Sequence, residues 1–355
     1  MTHFISINSM FNRIQTFLVG IIALSFIIYA GCGGSGTDRS LKESRIVFLS
    51  NREAPERQFD IFVINPDGTS LMNLTRDQNG ITSVSHPVSS PDGKKIVYLA
   101  FRQHKKFLMS MNVDGADPEV LIEVNIDSPD PIFSADGKKL IYINKVKDLR
   151  QIHIYDFELR SSTNISDNDA DEFEAVFSPD GDKIALVSDM DTNNKCIWLM
   201  NDDGSERIML TDQAGESRYP DFAPDGEHIA FCSSSDGDFE IYLMDAEDGT
   251  DLIKLTNNDV PDLEPRFSPD GSSILFSSNL KGIRSKHLIL LNRKTRNTIN
   301  ITEDSGSINQ HARFSPDGKQ VVFESIDGEI YLIDVADLNL RNLTNDPHWD
   351  CAPEF

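Results

Sequence analysis

The chain has 355 residues, 39 % of them hydrophobic and 25 % charged, which is enough apolar material for a large folded core and leaves nothing that reads as disordered. Acidic residues outnumber basic ones by 57 to 33, and the formal net charge of -24 repels phosphate backbones, so nucleic acid is excluded as an expected partner. The four cysteines lack zinc spacing and are too few for a disulfide scaffold.

Residues 1–16 carry a single Lys or Arg, Arg13, and the fourteen residues FLVGIIALSFIIYA follow at 17–30. A charged start and a short apolar run form a secretory signal, because a membrane span needs about 18 or more apolar residues. The run closes in Tyr29-Ala30-Gly31-Cys32, which resembles the bacterial lipoprotein box, with Tyr29 in place of the usual aliphatic residue. That resemblance implies a signal peptide over 1–31, a lipid on Cys32 and a Gly/Ser-rich tether over 32–44. Gly33, where an Asp would retain such a protein, points to the outer membrane. The expected location is therefore the bacterial cell envelope, periplasmic or surface-exposed, with the membrane reached through a lipid anchor only. Ordinary cleavage near Ala30 or Gly31 would instead release a free exported protein. With Cys32 lipidated, Cys196, Cys232 and Cys351 can form at most one disulfide.

From residue 90 onward one tetrapeptide recurs: SPDG (90–93), SADG (134–137), SPDG (178–181), APDG (223–226), SPDG (268–271) and SPDG (315–318). The glycines are spaced by 44, 44, 45, 45 and 47 residues, the length of one four-stranded propeller blade. Within the turn, Pro fixes the backbone at the second position, Asp caps it and Gly takes the left-handed conformation. The turn joins a strand A to a strand B such as Lys95-Ile96-Val97-Tyr98-Leu99. Strand C follows, as in EIYLMD (240–245) or CIWLMN (196–201), and a second Gly turn, as in NDDGSE (201–206), leads to a strand D ending in a Leu/Ile-Thr signature such as KLT (254–256). The four Asn-x-Ser/Thr matches, at Asn73, Asn164, Asn300 and Asn342, belong to that ending and read as structure. Arg45–Ser50 is a B strand with no A before it, and Ala352–Phe355 is an A strand with no turn after it. Joined, they complete one more blade. The predicted fold is all-β: a seven-bladed β-propeller of four-stranded blades over 45–355, closed by pairing of the C-terminal strand with the N-terminal blade.

The pattern xPxFSPDGxxIxFxS, followed by EIYxMDxDG and xLT, resembles the TolB-type and WD40-like (PD40) propeller repeats, which also form the N-terminal propellers of prolyl oligopeptidases. TolB itself is similar to a six-bladed ring behind a separate α/β domain, whereas here about a dozen residues separate Cys32 from the first strand. Trp349-Asp350 lies before an A strand and is not the WD40 dipeptide.

Strand A is innermost in such a ring, so the residue preceding its Pro or Ala is expected at the channel mouth: His86, Asp130, Glu174, Tyr219, Glu264, His311 and Ala352. Phe173, Arg218 and Trp349, in the variable D-to-A loops, add aromatic and charged anchors to the same end. Core burial is the competing reading for Phe173. Asp167, Asp169 and Asp171 alternate as in an EF-hand, but Glu172 and Ser178 stand where its Gly and Glu would be. No GxSxG elbow, HExxH, P-loop or GxGxxG unit occurs in the sequence, and the hydrolase domain of a prolyl peptidase is not expected. No catalytic residue, metal ligand or cofactor is assigned. The expected function is a monomeric, non-enzymatic scaffold that binds an envelope protein or a glycan through its D-to-A and B-to-C loops. The alternative is a channel-centred, metal-assisted polysaccharide lyase or hydrolase of the oligogalacturonate-lyase kind.

Overall fold

The computed structural model describes residues 45–53, 58–76, 78, 80–192, 194–212, 214–280, 285–303 and 309–355. The signal peptide, Cys32 and the tether lie outside the described residues. Among the described residues no helix is long and apolar enough to cross a membrane.

B and C strands such as Ile46–Ser50, Lys183–Ser188 and Cys196–Asn201 are almost continuously apolar, the pattern of strands covered on both faces. They sit centrally in their sheets. The described residues form 28 strands in seven four-stranded antiparallel sheets, each running A-B-C-D from the axis outward. Blade 1 is Asp350–Glu354, Ile46–Ser50, Asp60–Ile64 and Met72–Asn73, so the last strand of the chain pairs with the first. Blades 2 to 7 follow in order, with inner strands Ile81–Ser89, Ile132–Phe133, Glu172–Phe177, Ser217–Phe222, Asp262–Phe267 and Asn309–Phe314. The core lies between neighbouring blade faces; at the closure, Ile46, Phe48 and Phe62 of blade 1 pack with Val322 and Leu332 of blade 7 and with Phe355.

Both sequence signatures have a structural explanation. In the first turn Gly93 N donates to Ser90 O at 2.8 Å, while Asp92 Oδ1 accepts from Ser90 Oγ at 2.7 Å and Lys94 N at 3.1 Å. The arrangement recurs at Asp136, Asp180, Asp270 and Asp317, so the repeated aspartate is used inside its own turn. The Thr or Ser ending strand D accepts a strand C amide: Ile61 N to Thr75 at 3.0 Å, Ile152 N to Ser166 at 2.8 Å and Ile241 N to Thr256 at 2.9 Å. Asn73, Asn164, Asn300 and Asn342 each accept the amide two residues on, the structural use expected of the Asn-x-Ser/Thr matches. Cys196, Cys232 and Cys351 are buried and free.

Candidate functional site at the channel mouth

The seven aligned residues of strand A share one backbone conformation. His86, Asp130, Glu174, Tyr219, Glu264, His311 and Ala352 all have positive φ, between 43° and 58°. In six blades the A–B pairing slips across that residue, as between Phe173 and Val176 or between Leu263 and Arg266. In blade 3 Asp130 stands just ahead of the short inner strand. Each of the six slips is a bulge that bends the inner strand and re-aims its side chains.

The seven positions differ in what they present. His86 is fully buried, its Nδ1 at 2.9 Å from Ser85 Oγ and its Nε2 at 3.0 Å from Ser128 Oγ. Burial, with His311 nearby, pushes its pKa down to about 3, so it is neutral. Ser128 also donates to Asp130 Oδ1 at 2.9 Å, and burial followed by the Glu174 charge raises the Asp130 carboxyl to about 7. Glu174 faces the Arg218 guanidinium and accepts Tyr219 N at 2.8 Å. Lys286 Nζ lies 3.1 Å from Glu264; burial would raise this carboxyl, but Lys286 and His311 outweigh it and hold it below its ordinary value. His311 Nδ1 is 3.0 Å from Glu324 Oε1, an ion-pair contact that is off the hydrogen-bonding direction. Glu324 raises the imidazole pKa against the opposing effect of burial.

Two expectations change. Phe173 is only 4 % exposed: its ring lies under Arg150, 3.9 Å from the guanidinium carbon, and under Arg218 at 5.2 Å, so it supports the rim and is no open anchor. His86 likewise offers nothing to solvent. Trp349, 43 % exposed, is open, and Arg218 reaches over Tyr219 at 5.0 Å. Asp171, in the rejected calcium loop, pairs with Arg150.

Sequence reasoning missed Glu324. It lies in Gln320–Ser325, where the matching position is Leu49, Val187 or Cys232 in blades 1, 4 and 5, and it accepts the Ala352 amide and Gln310 Nε2, the latter at 2.7 Å. An acid in an otherwise apolar strand, next to the one ring position without a polar side chain, was its signal. Also missed were the ion pairs of Arg266 with Asp221 and of Arg313 with Glu354, four residues that each lie two beyond the left-handed position of their blade.

Residues 36–214 and 190–285 match the model of the TolB beta propeller domain, PD40. The chain belongs to that family. It is 30 % identical over 82 residues to the Tol-Pal system protein TolB of Thioalkalivibrio sulfidiphilus, a match covering 23 % of this chain and 18 % of that protein. Among solved structures it resembles TolB from Acinetobacter baumannii, with a TM-score of 0.53 and 20 % identity over 72 % of this chain and 62 % of the other. It also resembles oligogalacturonate lyase from Vibrio parahaemolyticus, with a TM-score of 0.63 and 16 % identity over 89 % and 98 %. At those identities the structural likenesses establish the fold alone.

One solved oligogalacturonate lyase is described as in complex with manganese. The ring of this PD40 protein does not fit such an ion as it stands. Among the described residues, the group of three potential donors within 4.8 Å of one another is Asp225, Glu227 and His228, in and beside a surface turn; the ring's imidazoles and carboxylates form none.

Proposed function

We propose that the protein is a binding scaffold of the bacterial cell envelope, lipid-anchored through Cys32, whose D-to-A and B-to-C loops hold another envelope protein. One observation carries this reading. The charged ring groups Glu174, Glu264 and His311 are engaged in fixed pairs with Arg218, Lys286 and Glu324, and Trp349, in the D-to-A loop of blade 1, keeps 43 % of its surface exposed. Paired charges set register and exclude wrong partners, and an exposed tryptophan supplies the apolar anchor. The similarity to a Tol-Pal system protein, TolB, supports a protein partner over a glycan. The acidic surface disfavours polyanions.

Cross-linking in intact envelopes followed by mass spectrometry tests the reading, with wild type compared to Trp349→Ala. Capture of one protein by wild type is expected, reduced at least about tenfold in the variant at unchanged melting temperature, as loss of an interface hot spot gives. Equal capture by both would remove this face from the proposal.

A further inference from the structure

Two residues before the left-handed position, strand A carries an acid in three blades: Asp350 in blade 1, Glu172 in blade 4 and Asp262 in blade 6. All three are fully buried, and each pairs with the serine that ends its strand B, Ser50, Ser188 or Ser278. A guanidinium neutralises two of them. In blade 1 Arg52 donates from Nη2 to Asp350 Oδ2 at 2.6 Å and from Nε to Ser50 Oγ at 2.8 Å, so one fork spans the acid and its serine. In blade 4 Arg207, just ahead of strand D, donates from Nη1 to Glu172 Oε1 at 2.6 Å. Blade 6 holds uncharged residues at both of those places. Leu280 stands two residues past Ser278 as Arg52 does past Ser50, and Thr298 precedes the strand D isoleucine as Arg207 does in blade 4. Asp262 accordingly has no basic partner among the described residues: Asn258 Nδ2 donates to its Oδ2 at 2.8 Å, and neither Oδ1 nor Ser278 Oγ makes a hydrogen bond.

A cavity of about 320 Å³ lies beside this pair, between blades 5 and 6. Asp262, Ser278, Leu280 and Thr298 all line it, and Phe276 and Ile289 supply apolar wall. The acid, its serine and both substituted positions therefore border one volume. A buried carboxylate without a cation is costly, and a guanidinium fork is the partner that the same acid–serine pair takes in blade 1. We propose that this cavity is a guanidinium site, in which a guanidino compound or an arginine side chain of another chain forks onto Asp262 Oδ1 and Ser278 Oγ, its methylene stem against Phe276 and Ile289. The electrostatics agree. Burial, with the Glu240 charge adding to it, pushes the Asp262 carboxyl up to about 6, although Ser278, Asn258 and Thr256 are close enough to act the other way. The site does not depend on the partner-binding reading, because the cavity between blades 5 and 6 defines it and Trp349 has no part in it.

Calorimetric titration of the mature protein with ethylguanidinium, Nα-acetyl-arginine amide and ethylammonium, each as the chloride at balanced ionic strength and about pH 8, tests the proposal. Saturable one-to-one binding of ethylguanidinium is expected, tighter than ethylammonium, which brings the charge without the fork. Asp262→Asn is expected to weaken it about tenfold or more. Leu280→Arg, which writes the Ser-Asn-Arg of residues 50–52 into blade 6, is expected to abolish binding by supplying the guanidinium from within, whereas Leu280→Gln leaves it unchanged. Binding of the arginine amide as well assigns the site to a side chain of another chain; binding of ethylguanidinium alone assigns it to a free compound. No saturable binding of either guanidinium, or equal affinity in wild type and Asp262→Asn, overturns the site. Ethylammonium bound as tightly as ethylguanidinium overturns the fork. Should Asp262→Asn fail to fold, the contrast between Leu280→Arg and Leu280→Gln decides.

Discussion

At the scale of single residues, the ring repeats a costly choice. A side chain in the left-handed region costs about 1–2 kcal/mol, and all seven blades place a non-glycine residue there, so the surrounding sheet has to hold each one. What the bulge delivers is a set of inward groups with displaced protonation. His86, held near 3, is neutral when folded but charges in the unfolded chain below about pH 6.5, so folded stability falls as pH drops from there toward 3. Asp130, raised to about 7, retains its proton when folded while the unfolded carboxyl loses it near 4, so stability falls as pH rises from about 4 to 7. The two slopes oppose each other across one window. Urea unfolding from pH 3.5 to 8 is therefore expected to show Asp130→Asn gaining on wild type as pH rises, and His86→Gln gaining as pH falls. Difference profiles that stay flat would mean that neither group is displaced as described.

At the scale of elements, the D-strand signature and the closing strand carry distinct roles. Thr256 Oγ1 accepts the Ile241 amide at 2.9 Å and donates to the buried Glu240 carboxylate, so Thr256→Val strips a partner from two buried polar groups. A loss of about 1–3 kcal/mol is expected in chemical denaturation, with the native circular dichroism spectrum kept. The closing strand pairs Val47 with Glu354 and Leu49 with Cys351, and Arg52 reinforces it 2.6 Å from Asp350. Phe355 is 1 % exposed and packs with Phe48 of blade 1 and Val322 of blade 7. Truncating it as Phe355→Ala is expected to cost about 3–5 kcal/mol, the range for an emptied aromatic site, although it is the last residue of the sequence. A melting temperature equal to wild type would mean that closure does not depend on this side chain.

At the scale of the whole molecule, the period of the SPDG turns and the two half-blades at 45–50 and 352–355 made seven blades and their closure legible, because repetition leaves a mark in sequence. The set of seven residues that share a left-handed backbone was legible for the same reason, as one position in each repeat. Its chemistry was not: the burial of His86 and Phe173, the place of Glu324 and the pairing of Arg266 depend on side chains brought together from different blades. One coupling joins two signatures that read as independent, the Gly of the C–D turn and the Leu/Ile-Thr ending of strand D. A Cβ on Gly204 in blade 4 would come 2.3 Å from the carbonyl oxygen of Ile165, which follows strand D of blade 3, and Gly249 meets Leu210 O at 2.4 Å in the same way. These glycines set how closely consecutive blades approach. Gly181, in an A–B turn, has nearly the same φ, 82° against 85° for Gly204, but nothing within 4 Å of a Cβ. Gly181→Ala therefore carries the backbone cost alone, about 1 kcal/mol, whereas Gly204→Ala adds a backbone collision between blades and is expected to lose about 1–3 kcal/mol more. Equilibrium unfolding of the two variants in parallel separates the contributions, and equal losses would mean that the blades can shift apart at that contact without cost.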